Sequence, residues 1–283
     1  MAAGDDHIRA CPNVGGDVID LHSHVLPGID DGPADVAGSL ALARAAARDG
    51  TTVLMATPHV NWRYRNEPGE IAARVRELDA VLVEEGVCTA EGTPLRVRAG
   101  AEVALTLVGE LEEAQLSALT LGGGPWLLVE PPFAPVAANL DGIMRELQDR
   151  GHRLLLAHPE RCPAFQRDRA LLRRIVQDGA LTSITAGSLV GSFGSEAREL
   201  ALELAREGML HNVASDAHDA VHRPPEIAAQ LARAGLSPLR GWLTHDVPAA
   251  ILAGSEIPAP PAMPPRQLDE RSRHSRWRLL RRV

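Results

Sequence analysis

Short apolar runs recur seven times along the chain, and six of the seven lead into a histidine or an acidic residue. The first, 18–21, leads to His22 and His24, and 51–56 leads to His59. The runs at 95–99 and 126–129 lead to Glu102 and Glu130, 153–157 leads to His158, and 210–214 leads to Asp216 and His218. Only 181–185, which runs into Ala186-Gly187-Ser188, does not. Between the runs lie stretches of helical periodicity, at 33–49 (closed by Gly50), 67–85, 110–119, 138–150, 168–178 and 195–207, with two more after the last run. Strands that alternate with helices predict a parallel α/β fold. The alternation is long and no Gly-rich phosphate loop interrupts it. The sequence therefore predicts a distorted seven-stranded (β/α) barrel rather than a short open sheet. In such barrels the C-terminal ends of the strands converge on one cup.

Domain limits follow from where this pattern starts and stops. Residues 1–17 precede the first strand as an extension, and 18–254 form the barrel domain. From 255 to 283 the chain turns Pro-rich and then Arg-rich, which predicts a flexible basic tail. The tail's last residues would form at most a short basic helix, able to dock weakly on an anionic membrane surface or an acidic partner. No run is long enough to span a membrane. The start, with Asp5 and Asp6 and no apolar core, is no secretory signal, so the expected location is the cytoplasm. A net charge of −8 argues against nucleic acid as the partner. All 29 basic residues are arginine, which excludes Schiff-base chemistry and a P-loop lysine.

The strand-end residues carry the chemistry. In an extended segment residues i and i+2 share a face, so His22 and His24 project together. Asp30 and Asp31 follow in a Gly-flanked turn and can return an oxygen ligand. Gathering His22, His24, Asp31, His59, Glu102, Glu130, His158, Asp216 and His218 in one cup is strongly unfavourable unless cations neutralise it. A donor set of nitrogen and oxygen, without thiolate, favours manganese, iron or zinc, with Mn²⁺ expected and two or three ions accommodated. Clustered divalent ions generate hydroxide at neutral pH and clamp a phosphoryl group, while Arg161 and Arg223 are placed to hold phosphate oxygens. The implied reaction is metal-assisted phosphoester hydrolysis. His7, His152, His211, His222, His245 and His274 lie off the strand ends and are read as non-ligands.

With Asp20-Leu21-His22-Ser23-His24, Thr57-Pro58-His59, His158-Pro159-Glu160-Arg161 and Ser215-Asp216-Ala217-His218, the chain resembles the polymerase and histidinol phosphatase (PHP) superfamily. The turn Asp30-Asp31-Gly32, the segment Gly100-Ala101-Glu102 and Arg223-Pro224-Pro225 make it more similar to the bacterial manganese-dependent tyrosine phosphatases of capsule and exopolysaccharide loci. The similarity runs over about 17–235 in order and spacing. It implies three metal sites: His22, His24, Glu102 and Asp216; Asp31, His59 and His218; and Glu130 with His158, bridged by Glu102. It also implies that Arg161 and Arg223 contact phosphate, that the fold is a distorted seven-stranded barrel, and that the partner is an autophosphorylating tyrosine kinase. The Pro/Arg-rich tail departs from the family pattern.

Two other readings use the same residues: a small-molecule phosphatase of histidinol-phosphate type, and a non-catalytic, metal-dependent scaffold that holds a kinase tail. A cysteine-dependent phosphatase is excluded. Its nucleophile needs an arginine six residues on, and Cys11, Cys88 and Cys162 are followed there by Asp17, Pro94 and Asp168. Finally, 60–68 should overhang the cup, offering Trp62 and Tyr64 to a phenyl ring and Arg63 and Arg65 to an acidic peptide.

Overall fold

A computed structural model describes residues 17–135 and 139–261. Strand β1 (Val18–Ser23) is buried at every position, as an apolar run with one polar face turned to a closed interior must be. Asp35 caps helix α1 (Val36–Arg48) by accepting the Gly38 N–H, and Gly50, with φ 93°, turns the chain into β2 (Thr51–Ala56). Helix α2 (Pro68–Glu84) starts on a proline and buries Ile71, Val75, Leu78 and Leu82, one stripe at helical spacing.

The expected seven strands become nine, in two parallel sheets, because two of the runs break and resume. After β2 the chain passes Thr57-Pro58 and restarts as β3 (His59–Val60); proline has no N–H to continue a ladder. After β4 (Arg96–Ala99) it passes Gly100-Ala101 and restarts as β5 (Glu102–Ala104). One sheet has the order β1-β2-β4. The other has the order β3-β5-β6-β7-β8-β9, with β6 (Trp126–Glu130), β7 (Arg153–Ala157), β8 (Leu181–Thr185) and β9 (Asn212–Ala214). Beyond β9 the chain also meets β1: Asp216 N donates to His22 O at 2.9 Å, and His24 N donates to Ala217 O at 2.9 Å.

The remaining α-helices among the described residues are α3 (Glu113–Ala118), α4 (Leu140–Asp149), α5 (Pro163–Arg167), α6 (Arg169–Gln177), α7 (Ser195–Arg206), α8 (Ala228–Ala234) and α9 (Val247–Ala253). The expected helix at 168–178 is thus preceded by a separate turn of helix, with Asp168 between them accepting the Leu171 N–H at 3.0 Å. Helix α1 packs on β2, α2 on β4 and α4 on β7. The core joins fully buried side chains from both sheets, among them Leu54, Val103, Leu128, Leu155, Ile184 and Val213. Aromatic rings are few, so these aliphatic residues fill it.

Residues 255–261, expected to leave the domain, lie along it. Ile257 packs against the core, and Trp242 Nε1 donates to Pro258 O at 2.9 Å. The extension 1–16 and the Arg-rich part of the tail, 262–283, lie outside the described residues. Among the described residues no helix is long and apolar enough to cross a membrane.

Candidate metal centre

The alternation along β1 sets up the site. Asp20, His22 and His24 share one face, and all three are buried. His22 Nε2 and His24 Nε2 lie 3.3 Å apart. The break before β5 brings in Glu102, whose Oε2 lies 3.3 Å from His22 Nε2, 3.4 Å from His24 Nε2 and 2.9 Å from His59 Nδ1. Neither Glu102 Oε2 nor His59 Nδ1 has a hydrogen-bond partner, although both are fully shielded from solvent. Buried polar atoms are almost always paired. Three imidazole nitrogens crowd one carboxylate oxygen, and His59, the nearest of them, is not aligned to bond it. That is a donor set shaped for a cation. It consists only of nitrogen and oxygen, which suits a hard or borderline divalent ion.

Two further groups adjoin it. Asp31 Oδ1 lies 3.3 Å from His218 Nε2, 3.6 Å from His59 Nε2 and 3.9 Å from His24 Nδ1. The turn that presents Asp31 needs Gly32, where a Cβ would come within 2.1 Å of His24 O. Glu130, at the end of β6, gathers with His59 and Glu102. Of the three expected sets, the residues of the second converge, joined by His24. In the third, His59 stands with Glu102 and Glu130, while His158 Nε2 contacts Glu102 Oε1 at 2.7 Å and lies 4.0 Å from Glu130. In the first, Asp216 Oδ1 lies 3.5 Å and 3.4 Å from the His22 and His24 ring nitrogens. His158 and Asp216 adopt positive φ, 31° and 51°, which the surrounding structure must enforce for residues other than glycine.

The charges are interdependent. Burial and the neighbouring Glu102 push the Glu130 carboxyl up to about 8. Burial alone would lower His24, but its carboxylate neighbours Asp216, Asp30 and Glu102 raise it well above the ordinary imidazole value. Burial lowers His158 to about 4. Burial also works against the charged form of Asp216, yet His22, His24 and Arg223 hold it well below the usual carboxylate range.

Arg161 and Arg223 meet at Asp216. Arg223 Nη2 donates to Asp216 Oδ2 at 2.6 Å, and Arg161 Nη1 donates to the same oxygen. Arg223 Nε is buried without a partner. Both guanidinium groups border the Phe193 ring, at 4.3 Å and 5.8 Å, and Arg161 also lies 5.5 Å from the Phe133 ring.

Several supporting residues escaped the sequence reading. Asp30, passed over in favour of Asp31, contacts His24 Nδ1 at 2.7 Å and accepts the His59 N–H at 3.1 Å. Asp20 accepts from Ser215 through both its N–H and its hydroxyl, at 3.0 Å and 2.5 Å. Glu160 Oε1 accepts from Ser188 Oγ at 2.6 Å and from Thr185 N at 3.1 Å, tying the turn after β7 to the end of β8. The period of β1 places Asp20 on the histidine face and was a usable signal. Nothing in the sequence marks Phe133 or Phe193. Among the remaining histidines, His152 pairs with Glu113 at 2.8 Å, His211 accepts the Thr182 N–H, and His222 and His245 pair with local aspartates. His7 and His274 lie outside the described residues.

Parallel strands that end in a cluster of imidazoles and carboxylates, with two arginines beside it, define a metallohydrolase-like α/β protein. The comparisons agree and are more specific. The family model described as Capsular polysaccharide synthesis, CpsB/CapC, matches residues 18–234. The tyrosine-protein phosphatase YwqE of Bacillus subtilis (strain 168) is 37% identical over 205 residues, covering 71% of this chain and 78% of YwqE. The tyrosine-protein phosphatase CpsB of Streptococcus pneumoniae is 26% identical over 219 residues, covering 74% and 86%. A solved chain from the crystal structures of YwqE from Bacillus subtilis and CpsB from Streptococcus pneumoniae, metal-dependent tyrosine phosphatases, superposes with a TM-score of 0.75 at 31% identity, covering 87% of this chain and all of that one. The chain belongs to the CpsB/CapC family of capsular polysaccharide synthesis.

Proposed function

We propose that the protein is a metal-dependent protein-tyrosine phosphatase of bacterial polysaccharide synthesis, and that its substrate is a phosphotyrosine protein, an autophosphorylating tyrosine kinase. The observation that carries this reading is the crowding of three imidazole nitrogens around the shielded Glu102 Oε2, next to two arginines that share Asp216. Relatives with the same family membership are named tyrosine-protein phosphatases. The ligand set is His22, His24, Asp31, His59, Glu102, Glu130, His158, Asp216 and His218, with Mn²⁺ the expected ion. Bound divalent ions would supply an acidified water as nucleophile and neutralise the phosphoryl oxygens.

The chain's own arginines complete the grip. Guanidinium groups bind phosphate through paired N–H donors, and the buried, unpartnered Arg223 Nε is a donor ready for an incoming oxygen. Asp216 keeps both side chains extended toward the cup before substrate arrives. On the same reading the two sheets act as one distorted barrel of seven strand positions. In it, β2 with β3 and β4 with β5 each count once, and the Ser23–Ala217 bridge joins β1 to the end of β9.

The test is turnover of a phosphotyrosine peptide before and after chelation, alongside elemental analysis. Activity should vanish with the metal and return best with Mn²⁺, and thiol-blocking reagents should leave it intact. Full activity in metal-free protein, or histidinol phosphate as the best substrate, would overturn the proposal.

A further inference from the structure

Beside the candidate ligand cluster a cleft of about 310 Å³ opens between the turn after β3 and the segment after β6. Trp62, Thr106, Pro131, Pro132 and Phe133 line it, and Glu130 stands at its inner end. The turn is held rigidly. Asn61 Oδ1 accepts the N–H groups of Arg63 and Tyr64, both at 2.9 Å, and Asn66 Nδ2 donates to His59 O and Ile29 O. Trp62 and Phe133 nevertheless remain 55% and 53% exposed. Two large rings and a proline pair therefore face one cleft without burying much surface in the fold. Their contact energy is left for a ligand.

Tyr64 has a different position from the one the sequence suggested. It does not line the cleft but stacks on the His59 ring, with centroids 5.9 Å apart and planes at 7°. The ring that replaces it is Phe133. Phe133 is also the aromatic wall that reaches the chemistry: its centroid lies 5.6 Å from the His158 ring and 5.5 Å from the Arg161 guanidinium carbon. A phosphate held at Arg161 would thus be next to an aromatic wall. The group esterified to it, one oxygen away, would be directed into the cleft.

We infer that this cleft receives the aromatic ring of the substrate, so that Trp62 and Phe133 set the preference for aryl over alkyl phosphates. The inference rests on the phosphatase reading and adds the residues that choose the substrate. The cleft is at the small end of ligand pockets, which span roughly 300–1,000 Å³. That size suits one ring with its adjoining backbone. An alkyl ester would leave both rings in water and gain nothing from them.

The experiment compares kcat/KM for a phosphotyrosine peptide and phenyl phosphate with that for ethyl phosphate and phosphoserine, in the metal-loaded protein. Trp62→Ala and Phe133→Ala should each lower the aryl-to-alkyl ratio about tenfold, which corresponds to ~1.4 kcal/mol. Trp62→Phe should recover most of it. Calorimetric binding of phenylphosphonate against methylphosphonate gives a readout without turnover, and the phenyl advantage should shrink by the same factor. Phe133→Leu guards against a folding defect, since it keeps the volume and loses the ring face. Equal loss on both substrate classes, or loss on neither, would overturn the cleft assignment and leave the phosphatase reading standing. A parent protein that hydrolyses neither class overturns both.

Discussion

Asp216 is the residue where the candidate metal ligands and the two arginines meet. Its Oδ1 faces His22 and His24, and its Oδ2 holds Arg161 and Arg223. Because two guanidinium groups share one oxygen, removing either leaves the carboxylate with a partner. Arg161→Ala should therefore keep its metal and its fold, yet lose about 100-fold in kcat/KM, ~2.7 kcal/mol, the usual effect of deleting a donor to developing phosphoryl charge. Arg161→Lys should recover little, since an ammonium cannot reproduce the paired fork. Elemental analysis beside steady-state kinetics checks this, and loss of metal in the alanine variant would mean that Arg161 supports the ligands instead. The candidate ligands other than Asp31 were legible in the sequence because each follows an apolar run. The partners that orient them were less so: nothing local separates Asp30 from Asp31. Only the folded turn shows that Asp30 points inward to His24 while Asp31, half-exposed, points to His218.

At the scale of elements, the join between β1 and β9 aligns the two ends of the site. Asp20 reinforces the backbone bonds of that join: Oδ1 accepts the Ser215 and His22 N–H groups, and Oδ2 accepts the Ser215 hydroxyl. Asp20→Ala would strand the Ser215 and His22 N–H groups, each costing roughly 1–3 kcal/mol when unpaired, and leave the Ser215 hydroxyl only its 3.4 Å contact to His22 O, though local relaxation recovers part of the loss. A net loss of about 3 kcal/mol should lower Tm by roughly 5 °C in a chain of this size. Asp20→Asn should lose less, because burial already pushes this carboxyl up to about 6 and the neutral amide keeps an acceptor. Thermal denaturation of both variants decides the point; unchanged melting in the alanine form would show that the join does not depend on Asp20. The order of strands and helices was readable from periodicity. The breaks after β2 and β4 were not, because β3 and β5 span two and three residues, too short to show a period of two. The docking of 255–261 was hidden for another reason. Proline-rich composition predicts extension, and extension does not prevent Ile257 from packing on the core.

For the whole molecule, the cup is both the candidate functional centre and a concentration of buried charge that folding has to tolerate. Without cations, the fold depends on protons instead. His24 carries a raised value, so its contribution is complete below the ordinary imidazole pKa and is lost as pH rises through its folded value. Glu130, pushed up to about 8, acts in the same direction: it favours the folded state while protonated, and that benefit fades as pH climbs from the ordinary carboxyl range to about 8. Metal binding has the opposite dependence, because the ligands must give up their protons to coordinate. The stability gap between metal-loaded and metal-free protein should therefore widen between pH 6 and pH 8. With free ion at about 100 times Kd the stabilisation is ~2.7 kcal/mol per site, enough to raise Tm by roughly 4–5 °C in a protein of this length. Melting curves of chelated and Mn²⁺-loaded protein at the two pH values measure the gap directly. A gap that narrows toward pH 8, or is absent at both values, would show that the clustered histidines and carboxylates neutralise one another without an ion.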